Sequence, residues 1–105
     1  MWGSNRLFLI FVRKNRGNKM FLHLGAERVI PIKKIIGIFD IENTTVSKIT
    51  KQFLQIAEEE ELVESVNNEL PKSFVVMEHM NTYKVILSPI STGTLIKRLD
   101  NTNKL

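Results

Sequence analysis

Residues 35–61, IIGIFDIENTTVSKITKQFLQIAEEEE, carry the chain from a strand pattern through a polar turn into an amphipathic helix, and the remaining segments can be placed around them. Ile35, Ile36, Ile38, Phe39 and Ile41 are apolar and mostly β-branched, interrupted only by Gly37 and Asp40. That pattern reads as a central strand buried on both faces. Glu42-Asn43-Thr44-Thr45 follows with short side-chain oxygens able to hold the free amides of a helix start, and Asn43, Thr44 or Thr45 is the expected N-cap. Val46, Ile49, Phe53, Ile56 and Ala57 then recur at three- and four-residue spacing, which predicts one apolar helical face opposite Lys48, Lys51, Gln55, Glu58 and Glu59. Such a helix is shaped to lie on a sheet.

Upstream, residues 20–24 read as a short strand, Gly25-Ala26-Glu27 as a turn and residues 28–30 as a second extended stretch. Pro31 lacks an amide hydrogen and marks a strand edge or an irregular junction. Downstream, residues 62–66 have β character and Asn67-Asn68 is a turn signal. FVVME and YKVIL, separated by His79-Met80-Asn81-Thr82, predict a β-hairpin. Ser91 is placed to cap a short final helix through Leu95, Ile96 and Leu99, and residues 100–105 read as a flexible tail. The fold class is α+β: a small antiparallel or mixed sheet of four or five strands, one main amphipathic helix and a short C-terminal helix. Adjacent apolar positions in the central strand and the hairpin ask for cover on both faces of the sheet. A homo-oligomer supplies that cover for the face the helices leave open; a monomer whose helices and loops wrap the sheet is the other solution.

A chain of 105 residues with 43% hydrophobic content suits one domain. It has no cysteine, which excludes a disulfide framework and thiolate chemistry and fits a cytoplasmic setting. The formal charge of +4 invites a nucleic-acid reading. Its distribution matters, because Arg6, Arg13, Lys14, Arg16 and Lys19 all precede Met20, leaving 10 basic and 11 acidic residues from Met20 onward and a balance of −1 there. Residues 1–19 carry an apolar run from Leu7 to Val12, too short to span a bilayer and without a small-residue cleavage site. They read as a non-native or disordered leader, an upstream region translated ahead of a start at Met20. Arg16-Gly17 can be encoded by purine triplets resembling a bacterial ribosome-binding sequence. A basic arm that binds nucleic acid or membrane is the alternative.

Catalytic constellations are absent from the sequence. Asp40 and Glu42 lie two apart and could share a strand side, yet turn formation and capping account for them. His23 and His79 stand alone, with no second histidine or cysteine at ligand spacing. No phosphate-binding glycine loop, nucleophile elbow or metal motif is present, so no cofactor, metal or enzymatic activity is expected. Glu58 to Glu61 put four carboxylates where the helix macrodipole disfavours them. They are either a solvated terminus or an acidic rim that repels DNA or meets a basic neighbouring subunit.

Four segments taken in order, GIFDIENTT at residues 37–45, SKITKQFL at 47–54, LPKSFVV at 70–76 and KVILSPIS at 84–91, resemble the RemA/RemB family of extracellular matrix regulators from spore-forming Gram-positive bacteria, and within it the RemB branch. The resemblance spans about residues 20–98 and leaves the leader out. It implies a small cytoplasmic protein of residues 20–99 and no membrane association. In the RemA branch it implies a DNA-binding transcriptional activator of biofilm matrix genes that assembles as a ring and offers arginines to the phosphate backbone. The position matching one of those arginines is Lys34. The basic cluster of that branch falls on Asn68-Glu69-Leu70-Pro71-Lys72, where only Lys72 is cationic and a twin arginine is missing. Two functions follow from the resemblance. One is an oligomeric regulator that binds double-stranded DNA through Lys34 and Lys72, with Arg28, Lys48 and Lys51 as further contacts repeated around the ring. The other is an oligomeric scaffold that does not bind DNA and acts on a related regulator protein.

Overall fold

The computed structural model describes residues 21–41 and 48–103, with side chains through 100. The expected leader, Met20, Glu42, Val46 and the three N-cap candidates Asn43, Thr44 and Thr45 lie outside the described residues. The element order is β1 (Phe21–His23), β2 (Val29–Pro31), a one-turn 3-10 helix (Ile32–Lys34), β3 (Ile35–Asp40), α1 (Lys48–Glu59), β4 (Val63–Ser65), β5 (Ser73–His79), β6 (Thr82–Ser88) and α2 (Thr92–Asn103). This is the α+β class expected, with a mixed sheet.

β5 and β6 form the middle of the molecule. Five consecutive residues of β5, Ser73 to Met77, are buried, because Phe74 and Val76 point to one side of the sheet and Val75 and Met77 to the other. The four-stranded order is β3-β5-β6-β4, with β3 antiparallel to β5, β5 antiparallel to β6 and β4 parallel to β6. β3 is therefore an edge strand, which corrects its expected central place. Its register slips between Ile35 and Gly37, a bulge that leaves Ile36 51% exposed. The apolar run of β3 reads as a doubly buried strand only because that bulge is invisible in composition.

Both faces of the sheet are covered by the chain itself. On one, Ala57, Phe53 and Leu54 of α1 pack with Phe74, Val76, Val85, Phe39 and Tyr83. The Phe39 and Phe74 rings stack at 4.8 Å, and Phe53 stands 5.6 Å from Tyr83. On the other, Leu95 and Leu99 of α2 share a core with Ile38, Val75, Met77 and Ile86, joined by Leu22, Leu24, Ile30 and Ile32 from the β1–β2 ribbon and the 3-10 turn. The α1 side is the less completely covered of the two, with Phe39, Phe53, Leu54, Tyr83 and Leu87 only partly buried. The inward stripe of α1 is also shifted from the expected one. Thr50, Phe53, Leu54 and Ala57 are the residues turned inward, while Ile49 and Ile56 remain about half exposed at 50% and 51%.

Local chemistry fixes the connections. Ser91 Oγ accepts from Thr94 N at 3.2 Å and caps α2 as expected; the helix then runs through Asn103, so the expected tail at residues 100–103 is helical. α1 ends in a Schellman arrangement: Leu62 N donates to Ala57 O, Glu61 N donates to Glu58 O, and Glu61 takes φ 60 at the position usually given to glycine. The hairpin turns on Met80 and Asn81, φ 46 and 69, the positive-φ pair of a type I′ turn. Gly25 at φ 106 opens the β1–β2 turn, a conformation L side chains rarely adopt. Ser73 and Ser88 face each other at one sheet end. Ser88 Oγ donates to Leu24 O and Ser73 Oγ to Ile90 O, both at 2.8 Å, pinning the ribbon and the approach to α2. No helix among the described residues is long and apolar enough to cross a membrane.

Candidate nucleic-acid interface

The five predicted contacts fall on four parts of the fold: Lys34 in the 3-10 turn, Lys72 before β5, Lys48 and Lys51 on α1, and Arg28 before β2. Lys34 ends the 3-10 turn immediately before β3, half-buried. Lys72 lies one residue before β5 at the opposite end of the same strand pair, since Ile35 is opposite Met77 while Asp40 is opposite Ser73. With about 3.3 Å per strand residue the two lysines stand roughly 20 Å apart. A single copy does not bring them together.

Lys72 is held by its backbone on both sides: Ile41 N donates to its carbonyl at 3.0 Å and its N–H donates to Ser88 O at 2.8 Å. Its side chain is exposed. The chain thus leaves β3 beside Lys72 and enters α1 at Lys48. Lys48 and Lys51 are three apart on the first turn of α1, both exposed, so they share a side of the helix at its amide-rich end. The first turn of α1 contains no acidic residue. α1 ends at Glu59, and Leu62 beyond it accepts at its carbonyl from Val85 N at 2.9 Å, so Glu58 to Glu61 lie at the end of the helix away from Lys48. Twelve helical residues cover about 18 Å, close to the length of the sheet. Cations and carboxylates are separated along α1.

Arg28 is differently placed. Its Nε donates to Glu64 Oε2 at 2.5 Å and its Nη2 to Glu64 Oε1 at 3.2 Å, while Lys84 Nζ lies 3.0 Å from the same Oε1. The guanidinium thereby ties the β1–β2 ribbon to strand β4, and the Arg28 hydrogen bond holds the Glu64 carboxyl below its ordinary 4.5, against a smaller opposing effect of burial. Arg28, one of the further phosphate contacts expected, has its fork committed to a carboxylate. This three-residue bridge was not visible in the sequence, because its members are 36 and 20 positions apart and none carries a local motif. Arg98 likewise donates to His23 O at 2.8 Å. Lys34, Lys48, Lys51 and Lys72 form no ion pair among the described residues.

No group of three or more histidine, cysteine, aspartate and glutamate side chains among the described residues could hold a metal ion. His23 is exposed and His79 half-buried on different elements. Asp40 is half-buried at the end of β3, and its would-be partner Glu42 lies outside the described residues.

The family described as RemA-like, extracellular matrix regulatory protein A-like, matches residues 21–99, from the first residue of β1 into α2. Extracellular matrix regulatory protein B of Bacillus subtilis (strain 168) is 38% identical over 79 residues, covering 75% of this chain and 89% of that protein. The matched span contains every strand among the described residues, α1, most of α2 and all five predicted lysine and arginine positions. The chain belongs to the RemA-like family of extracellular matrix regulatory proteins.

Proposed function

We propose that the chain is an oligomeric regulator of extracellular matrix genes of biofilms, working in the cytoplasm by binding double-stranded DNA through its phosphate backbone. One observation carries this reading: Lys48 and Lys51 are exposed on a first turn of α1 that holds no acidic residue, and they, Lys34 and Lys72 form no ion pair among the described residues. Lysines are compact point charges and suit phosphate contacts that carry no base information. Lys72, Lys48 and Lys51 provide the main contact of each copy, and Lys34 a second one some 20 Å away along β3 that a duplex following a ring of copies reaches in turn. Arg28 has a structural part in this scheme. Regulation of matrix genes rests on the family and on the name of the Bacillus subtilis relative.

The test is fluorescence anisotropy of a labelled duplex titrated with the chain starting at Met20, so that the five cations of residues 1–19 make no contribution. Affinity falls steeply with salt, and Lys34→Ala with Lys72→Ala flattens the dependence by about two units of slope for each engaged copy. Binding that survives high salt unchanged would rule out a phosphate mechanism.

A second reading has its own observation. Ile49 and Ile56 lie two turns apart on α1 and are about half exposed at 50% and 51%, an apolar strip suited to a protein partner such as a related regulator. Absence of duplex binding by an assembled sample, with loss of partner binding in Ile49→Ser and Ile56→Ser, selects this reading.

A further inference from the structure

We propose that copies of this chain join by continuing the four-stranded sheet, the β4 edge of one copy lying parallel to the β3 edge of the next, with Lys33 of one against Glu60 and Glu61 of the other. This deepens, and rests on, the oligomeric part of the function proposed above.

The two edges are complementary in direction. β3 runs antiparallel to β5, β5 antiparallel to β6, and β4 parallel to β6, so β3 and β4 point the same way at opposite edges of the sheet. Joining them across two copies makes a parallel pair, and whatever precedes β3 then lies beside whatever precedes β4. Before β3 stands Lys33, exposed in the 3-10 turn. Before β4 stands the run Glu58 to Glu61, all exposed at the C-terminus of α1. Four carboxylates at that end oppose the helix macrodipole, and a neighbour's ammonium offsets the cost. Glu64 is not part of this acidic group, since Arg28 and Lys84 already engage it.

β3 is only lightly protected as a solitary edge: its sequence IIGIFD contains neither lysine nor proline, and its guards are the bulge at Ile36, whose apolar side chain is exposed, and the terminal Asp40. β4, short and reading VES, is the blunter edge and the natural acceptor. Because the two joined surfaces differ, the contact is heterologous and repeats from copy to copy; the right-handed twist of the sheet turns each copy relative to the last, which allows closure into a ring.

The experiment is native mass spectrometry with light scattering on the full chain, on Lys33→Glu, on Glu60→Lys with Glu61→Lys, and on the combined charge swap, with far-ultraviolet circular dichroism confirming the fold of each. Each one-sided reversal sets like charges together and weakens assembly on the order of ten-fold or more, and the combined swap restores it. A one-to-one mixture of the two one-sided variants forms complexes holding equal numbers of each, because only unlike copies then match at both edges. If the wild-type chain is monomeric, the oligomeric reading itself fails. If it assembles and neither reversal alters assembly, the oligomer stands and this interface is wrong. Dissociation by Lys33→Glu alone, with the acidic reversal silent, points to a β3-to-β3 dimer and likewise overturns the proposal.

Discussion

Breaking the Arg28–Glu64–Lys84 bridge tests whether Arg28 serves the fold or the ligand. The guanidinium meets the carboxylate at two points, 2.5 and 3.2 Å, and Lys84 adds a third contact at 3.0 Å. Hydrogen bonds to charged groups contribute roughly 1.5 to 3 kcal/mol where water is excluded. Fully exposed ion pairs contribute about 0.2 to 1. The Arg28 and Glu64 side chains are 33% and 29% exposed, so solvent screens them partly and about 1 kcal/mol of coupling is expected. For a domain of this size that equals a fall in Tm of about 4 to 8 °C.

The assay is a double-mutant cycle of Arg28→Met and Glu64→Gln by urea unfolding at several pH values. The folded-state pKa of Glu64 is depressed below its ordinary 4.5, so its contribution is complete above 4.5 and is lost as pH falls through the folded value. The coupling is therefore about 1 kcal/mol at pH 7 and shrinks below pH 4.5. A coupling of zero at pH 7, or one unchanged into acid, refutes the bridge as a stabilising element. A duplex affinity that falls with Arg28→Met at unaltered stability refutes the structural assignment of Arg28.

Phe74→Ala removes a ring that is 2% exposed and stacked on Phe39, and is expected to cost about 3 to 5 kcal/mol in urea unfolding, enough to unfold a marginal domain. Met80→Asn with Asn81→Gly installs the preferred type I′ pair at φ 46 and 69 and raises stability by about 0.5 to 1 kcal/mol, read as a higher Tm with unchanged circular dichroism. Glu58→Gln with Glu59→Gln strengthens duplex binding near 0.01 M salt, where the Debye length is about 30 Å, and leaves it unchanged near 0.15 M, where it is about 8 Å.

Much of the fold was legible because its signals are local. The hairpin, the Ser91 cap and the Leu95 and Leu99 stripe of α2 each depend on residues within a few positions of one another. What misled the reading was long-range. β3 and β5 are similarly apolar, yet only β5 has a strand on each side, and strand order is set by pairing that no short window contains. The stripe of α1 was misplaced because Thr50 is buried and Ile49 is not, a rotation that side-chain hydropathy alone cannot reveal. Of the candidate site, the exposure of Lys48, Lys51 and Lys72 follows from charge. The capture of Arg28 by Glu64 depends on the β1–β2 ribbon folding back against β4.

A balance of −1 from residue 20 onward need not oppose binding to a polyanion, because net charge acts as one quantity only over distances shorter than the screening length. Along α1 the rise from Lys51 to Glu58 is about 10 Å and from Lys48 to Glu59 about 16 Å, between one and two Debye lengths of about 8 Å at physiological salt. A phosphate at the Lys72 end is therefore governed by the lysines and helix amides nearest it. The carboxylates at the far end are left for a different contact, and the sheet edge beside them is the one that the Lys33 edge of another copy matches in direction and charge. On this view the acidic run does not cancel the basic residues. In the proposed assembly it leaves copy-to-copy contact to the end where α1 finishes and most phosphate contact to Lys48, Lys51 and Lys72, with Lys34, beside Lys33, the one proposed contact that lies next to a neighbour's carboxylates.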